Sequence, residues 1–264
     1  MSMTMTEKLL ARASGKDAVS VGDVVTAKID VISISDGFRD DWLIENNLKA
    51  WDPERVVFSF DHFTPRSTGA VLKWWGDVEQ SREFAHKLGV PSENVYDVGR
   101  HGLSHQVPAE EGWVLPGSFY LAGSTMGTLN CFAMTGIFST WPALATGEMW
   151  IVVPESVRIN LTGEIPKGIL GKEIYFRLLQ DPQGRADNRV IKFGGPGLQF
   201  DVRMGVANGS NHIDYLKSRA REPFETVTAD RGARYVATCE YDCPRSNHWS
   251  PGLGTSPRAS PSVR

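Results

Sequence analysis

Two histidine-bearing turns carry the residue types that acid–base chemistry needs. Asp61-His62 closes the apolar run Arg55-Val-Val-Phe-Ser-Phe60. His101 and His105 lie in the glycine-rich stretch Gly99-Arg-His-Gly-Leu-Ser-His105, which follows Asn94-Val-Tyr-Asp-Val98. An imidazole titrates near neutral pH, and a neighbouring carboxylate can orient it, so such groups can move a proton or hold an anionic ligand. Each turn follows a strand-like segment, and in open α/β sheets ligands collect at the carboxyl ends of strands. The competing reading is structural: polar turn residues often do no more than hydrogen-bond nearby backbone.

Other constellations are weaker. Cys239 and Cys243 are spaced C-x3-C with His248 nearby, but a fourth ligand is missing and the segment looks irregular, so no metal site is expected there. Cys131 stands alone in an apolar segment and reads as a core thiol. Gly194-Gly-Pro-Gly197 lacks the G-x4-G-K-[ST] arrangement and no helix start follows it, which makes it a tight turn and not a phosphate loop. Neither a G-x-S-x-G elbow nor H-E-x-x-H occurs. The pair Trp74-Trp75 could seal a lid or an interface; the plainer reading is that it anchors a helix.

The elements that must position these residues alternate along the chain. Thr4-Met-Thr-Glu7 fits a capping box for a short first helix that Gly15 ends. Val19 to Ser35 is rich in β-branched residues and predicts strands interrupted near Gly22-Asp23. A short helix over 41–48, a strand over 55–60, a helix over 73–88 ended by Gly89 and a strand over 94–98 follow. Trp113 to Leu115 and Ser118 to Leu121 read as two further strands around Pro116-Gly117. Thr135 to Trp150 reads as largely helical, with Pro142 starting or kinking a helix. Strands over 155–161 and 190–193 and helices over 171–179 and 213–221 complete the pattern, that of an α/β protein with a mixed or parallel sheet.

Composition bounds the function. The chain has 264 residues, 41% hydrophobic and 22% charged, which is ordinary globular usage and excludes wholesale disorder. A net charge of -3 supplies no basic field for nucleic acid or an anionic membrane. Three cysteines argue against a disulfide scaffold. The apolar runs fall short of the roughly 18 residues of a membrane span, and the N-terminus lacks a signal-peptide core. A soluble protein of the cytoplasm or another intracellular compartment is expected. The stretch from Cys243 is rich in Pro, Ser, Gly and Arg and reads as irregular, with 258–264 as a disordered tail.

Longer strings point to a family. WDPERVVFSFDHFTP, YDVGRHGLSHQV, WVLPGS and ALATGEMW, with the opening TEKLLARASGKDAVSVGDVVTAKIDV and the later VRINLTGEIPKGILGKEI, IKFGGPG, RMGVANG and DYLKSRAREPFE, resemble the large subunit of 3-isopropylmalate dehydratase, within the aconitase superfamily. Gly254-Thr-Ser-Pro257 is similar to the family's Trp-Gly-Thr-Ser-Pro, with Leu253 for the Trp. The resemblance runs from about Thr6 to Pro257. It implies one aconitase-like α/β/α domain over 1–257, irregular from about 243 and truncated before the cluster-ligand region. The activity implied is that of a hydro-lyase, which removes and re-adds water across adjacent carbons of a hydroxylated organic acid such as an isopropylmalate-like compound.

Carried over residue by residue, Asp61-His62 resembles the family's Asp-His pair and His105-Gln106 its His-Gln pair. Catalytic roles are thereby implied for His62, His105 and Asp61. Gln106, Asp36, Ser124 and Thr125 are implied to bind substrate. Asp36-Gly37 resembles a family Asp-Gly, although Phe38-Arg39-Asp40 departs from the expected small, polar stretch. Gly123-Ser-Thr-Met-Gly-Thr128 stands where the family has Gly-x-Asp-Ser-His-Thr, so Thr125, Met126 and Gly127 replace an acid, a hydroxyl and an imidazole. Ala207 stands in place of a site glutamate.

The family holds a [4Fe-4S] cluster on three cysteines in motifs that Cys131, Cys239 and Cys243 do not match, so no cofactor and no metal are expected on this chain. Altered or lost cluster chemistry is the consequence. Two alternatives stand beside the hydro-lyase: a repurposed cluster-free lyase, isomerase or cyclase, and a non-catalytic remnant or interaction subunit. The partners implied are a small organic acid and a small-subunit-like chain, with neither nucleic acid nor membrane.

Overall fold

A computed structural model describes residues 1–37, 41–64, 78–100, 103–122, 132–135, 137–163, 188–195 and 210–243. The chain enters helix α1 (Met5–Ser14) through the anticipated capping box. The Thr4 hydroxyl accepts from the Glu7 N–H at 3.2 Å, and the Glu7 carboxylate accepts from the Thr4 N–H at 2.7 Å. Gly15, at φ 66°, closes the helix in the left-handed conformation that glycine adopts without cost.

Five parallel strands form the central sheet: β2 (Val31–Ser35), β3 (Val56–Ser59), β4 (Val95–Tyr96), β5 (Phe119–Ala122) and β6 (Phe132–Thr135). Their order is β4-β3-β2-β5-β6. The chain starts at the centre with β2, moves outward through β3 and β4, then returns to the other side of β2 for β5 and β6. Reversal between β2 and β5 leaves a crevice at the carboxyl ends, the usual ligand position in an open α/β sheet.

Strand alternation buries both faces of this sheet. On one face Ile32, Ile34, Val56, Phe58, Phe119 and Leu121 pack with Leu9 and Leu10 of α1, Phe84 and Leu88 of α3 (Val78–Leu88) and Leu144 of α5 (Ile137–Thr146). On the other, Val31, Val57, Tyr96, Tyr120 and Ala122 pack with Val107 of α4 (Val107–Glu110), Trp113 and Leu216 of α6 (Ser210–Lys217). Each fully buried side chain of this size contributes about 1.5–3 kcal/mol. Continuous apolar runs such as Val56-Val-Phe58 are what a sheet covered on both sides requires. The expected α/β class with parallel sheets is therefore found. The short helix α2 (Asp41–Glu45) lies between β2 and β3 in the chain.

Two smaller sheets flank the first. β1 (Val24–Lys28) pairs antiparallel with β7 (Glu148–Val152). β8 (Ser156–Gly163) runs between β10 (Ala237–Cys243) and β9 (Val190–Gly194), parallel to both. The Ser156 hydroxyl, hydrogen-bonded to that of Thr6 at 3.0 Å, ties β8 to α1.

The structure corrects the sequence reading locally. Ser20 to Asp23 is a turn, closed by the Asp23 N–H on the Ser20 carbonyl at 3.0 Å with Gly22 at φ 91°, so the first strand begins only at Val24. Trp113 to Leu115 is not a strand: the Trp113 and Val114 N–H groups both donate to the Pro108 carbonyl, at 2.8 and 2.9 Å, which makes the segment the exit turn of α4. The helix read over 135–150 is confined to α5, because Gly147 at φ 70° stops it and Glu148 to Val152 finds β1 as a partner. β10 was not anticipated; Glu240 and Asp242 mask its pattern, and it forms by pairing in parallel with β8. The helix expected over 171–179, Trp74-Trp75, Pro196-Gly197, His248 and the tail lie outside the described residues.

Candidate active site

Asp36, at the carboxyl end of β2, is fully buried and accepts four hydrogen bonds from the turn that follows β3. Its Oδ1 receives the N–H groups of Asp61 (3.1 Å) and His62 (2.7 Å). Its Oδ2 receives the Phe63 N–H (2.8 Å) and the Thr64 hydroxyl (2.7 Å). A buried carboxylate is tolerated when donors satisfy both oxygens. Gly37 follows at φ +85°, and a Cβ there would strike the Phe63 ring. The pair Asp36-Gly37 thus sets the path of the backbone that carries Asp61 and His62.

Asp61 joins two turns. Its Oδ1 lies 2.7 Å from His62 Nδ1, and its Oδ2 accepts both the N–H and the hydroxyl of Ser104, each at 2.9 Å. Since an ionised carboxylate only accepts, the His62 Nδ1 carries the proton of that contact. Ser104 is buried, 12% of the Asp61 side chain is accessible, and 31% of the His62 side chain is. The network therefore runs from a buried donor to an accessible imidazole. His105, next to Ser104, is exposed, and its ring centroid lies 6.1 Å from that of His62. Gln106 is exposed at the start of α4, where its side chain makes no capping bond.

Behind this pair, Arg82 of α3 grips Asp97 with two guanidinium hydrogen bonds, at 2.6 and 2.9 Å. That contact fixes the end of β4, from which the chain leads towards Ser104 and His105. Hydrogen bonding from Arg82, with its positive charge, holds the Asp97 carboxyl below the usual aspartate range, against the opposing effect of burial.

Of the residues read as site residues from sequence, Asp36, Asp61, His62, His105 and Gln106 come from the ends of β2 and β3 and the turn before α4. Ser124, Thr125, His101, Met126, Gly127 and Ala207 lie outside the described residues. Ser104 was missed, although a small hydroxyl beside His105 in a turn was its available signal. Asp36, Asp61 and His62 each offer one possible metal-ligand atom, all within 4.8 Å of one another, and form one such group among the described residues. The carboxylate oxygens in it already take hydrogen bonds, so the arrangement is that of a positioning network. In this network one imidazole is oriented by a carboxylate, and the ring of a second, His105, has its centroid 6.1 Å away.

The described cysteine positions do not fit an iron–sulfur cluster. Cys239 is buried with Val157, Ile159 and Leu161 under the β8 sheet. Cys243 follows four residues later on the same strand, which separates the two Cα atoms by about 13 Å at the rise of an extended chain. Cluster ligation needs thiolates converging on one point. Cys131 lies outside the described residues.

A family model described as the aconitase family (aconitate hydratase) matches residues 77–235. The 3-isopropylmalate dehydratase large subunit 1 of Methanopyrus kandleri is 33% identical over 270 residues, covering 92% of this chain. A probable 3-isopropylmalate dehydratase large subunit of Methanothermobacter thermautotrophicus is 37% identical over 275 residues, again 92% of the chain. A probable methanogen homoaconitase large subunit of the same organism is 30% identical over 274 residues. The chain spans about 63% of the length of the two dehydratase relatives and 62% of the homoaconitase. Among the described residues no helix is long and apolar enough to cross a membrane.

Proposed function

Because the chain belongs to the aconitase family, we propose that it acts as a hydro-lyase on a hydroxylated di- or tricarboxylic acid of the isopropylmalate type. The observation that carries the reading is the Ser104–Asp61–His62 network standing beside His105 at the carboxyl ends of a parallel sheet. Dehydration takes a proton from one carbon and releases hydroxide from the next, so it needs a group that accepts a proton and one that donates it. His62, with Nδ1 held by Asp61, exchanges its proton through Nε2. His105 serves as the second acid–base group. Gln106 hydrogen-bonds a substrate carboxylate, and Ser124 and Thr125, which follow β5 in the chain, bind the same ligand. Asp36 acts on the substrate through the backbone it holds.

The family's [4Fe-4S] cluster supplies Lewis-acid assistance worth several kcal/mol. The placement of Cys239 and Cys243 supports the reading that this chain does not hold a cluster on its own thiols. Ligands from outside these residues would restore that assistance; without them the histidine and carboxylate groups work at a lower rate. The relatives are named large subunits, which supports a small-subunit-like partner. A second reading, a repurposed cluster-free lyase, isomerase or cyclase, is favoured by Thr125, Met126, Gly127 and Ala207, which suit a bulkier and less charged ligand.

The test is an assay of isopropylmalate dehydration by the purified chain, alone and with a small subunit of this family, followed by the absorbance of the unsaturated acid. Turnover that falls about 10²–10⁴-fold in His105→Ala, the range for loss of a general acid or base, supports the reading. Full activity in that variant removes His105 from the mechanism. No turnover under either condition favours the repurposed or the non-catalytic reading.

A further inference from the structure

A polar cavity of about 520 Å³ opens on the β10-β8-β9 sheet, and none of the histidine-bearing turns lines it. Its floor follows from strand register. Thr238 of β10, Arg158 of β8 and Lys192 of β9 are direct neighbours across the three strands, so their side chains share one face. Like charges placed directly opposite on adjacent strands repel. Arg158 and Lys192 are such a pair, and among the described residues no carboxylate is paired with either.

The wall of the cavity adds to the positive field. The segment over 228–235 contributes Thr228, Arg231 and Tyr235, and the Tyr235 ring lies 5.9 Å from the Arg158 guanidinium. Asp230, the carboxylate in the wall, is committed to Lys8 at 2.6 Å and to the Met3 N–H at 2.8 Å. Glu240, on the same face two residues beyond Thr238, is bonded to the Asn160 amide, whose oxygen in turn accepts from Arg158 Nε at 2.9 Å. Burial and the Arg158 charge both lower the Lys192 ammonium pKa, so the positive charge here is costly as it stands.

Two adjacent cations, a third at the rim and two threonine hydroxyls around a cavity of small-ligand size make a coherent set of donors for an anion. We propose that this cavity binds a small multivalent oxyanion, carried as phosphoryl or carboxylate groups of a metabolite. Thr238, Arg158 and Lys192 form the floor of the site, and Arg231 closes it. The site is separate from the proposed catalytic pocket. Through Asp230 and Lys8 its wall is tied to α1, which packs on the central sheet.

The experiment is an amide-resolved NMR titration of the full 264-residue chain with inorganic phosphate and, separately, with tricarballylate, at constant ionic strength in chloride. The expected result is saturable shifts at residues 158, 192 and 228–238 with at least one of the two probes, weakened at least tenfold in Lys192→Met and in Arg158→Gln and retained in His105→Ala. Whichever probe saturates identifies the group recognised. Lys192→Met should also raise the melting temperature without ligand, because it removes a half-buried charge facing another, which shows that lost binding is not lost folding. Shifts that do not saturate, that persist in both variants, or that disappear in His105→Ala would overturn the proposal.

Discussion

Ser104 donates both its backbone N–H and its hydroxyl to the same oxygen of Asp61, each at 2.9 Å. The two residues are 43 positions apart, and the double contact ties the turn after β3 to the turn that carries His105. The other Asp61 oxygen holds His62 at 2.7 Å. The orientation of one histidine therefore depends on the turn that presents the other. The buried Ser104 is thus linked through Asp61 to the exposed His62.

Ser104→Ala keeps the N–H contact and removes the hydroxyl one. The expected stability loss, read by urea unfolding, is about 1–3 kcal/mol, the usual figure for a hydrogen bond to a charged group and its buried partner. In an active preparation the same variant should lower kcat more than it raises KM, since Asp61 is left less firmly placed. An unchanged kcat would remove the link from Ser104 to His62.

Asp36→Ala leaves three backbone N–H groups, of Asp61, His62 and Phe63, without their acceptor. At about 1–3 kcal/mol for each unsatisfied donor, a loss on the order of 3 kcal/mol or more is expected in chemical denaturation. Asp36→Asn, which keeps one acceptor oxygen of the two, should fall between. A stable Asp36→Ala variant with only a raised KM would instead make Asp36 a direct substrate ligand.

The placement of Asp61, His62 and His105 in turns after strands was legible because the apolar runs over 55–60 and 94–98 read as buried strands, whereas Gln106 was singled out only through the family resemblance. Asp36-Gly37 was legible as a pair, but its four-donor role was not, since the donors come from a turn brought near by the parallel register of β2 with β3. The Ser104 contact depends likewise on β3 lying beside β4, with Ser59 opposite Tyr96. Local propensity carries no such information. The same limit explains β7: Glu148-Met-Trp150 suits a helix by propensity, and only pairing with Val24 to Lys28, far back in the chain, makes it a strand.

The contact between Arg82 and Asp97 sets a pH dependence of stability. The folded-state pKa of Asp97 is lowered from the ordinary 3.8, chiefly by the Arg82 hydrogen bonds. A carboxyl depressed on folding stabilises the folded form above its unfolded value, and that contribution is lost as the pH falls through the folded value. Stability from this pair should thus be complete above pH 3.8 and decline below it. Asp97→Asn should flatten the acid limb of a stability–pH curve measured by denaturation. An acid limb identical to that of the parent chain would show that the pair contributes nothing.

Purified under anaerobic conditions, the chain alone is expected to bind no stoichiometric [4Fe-4S] cluster, because Cys239 and Cys243 stand about 13 Å apart along one strand. Iron and acid-labile sulfide analysis with visible absorption measures this directly. A broad band that bleaches on oxidation, with matching iron, would show that the thiols converge after all.

The most direct measurement of the central claim, that His62 and His105 serve one ligand pocket, is a titration of the chain with isopropylmalate followed by the histidine ring resonances in NMR. His62 and His105, whose ring centroids are 6.1 Å apart, are expected to shift together along one saturation curve. His86, exposed on α3, should stay in place. A saturating shift at only one of the pair, or equal small drifts at all three rings, would contradict the shared pocket.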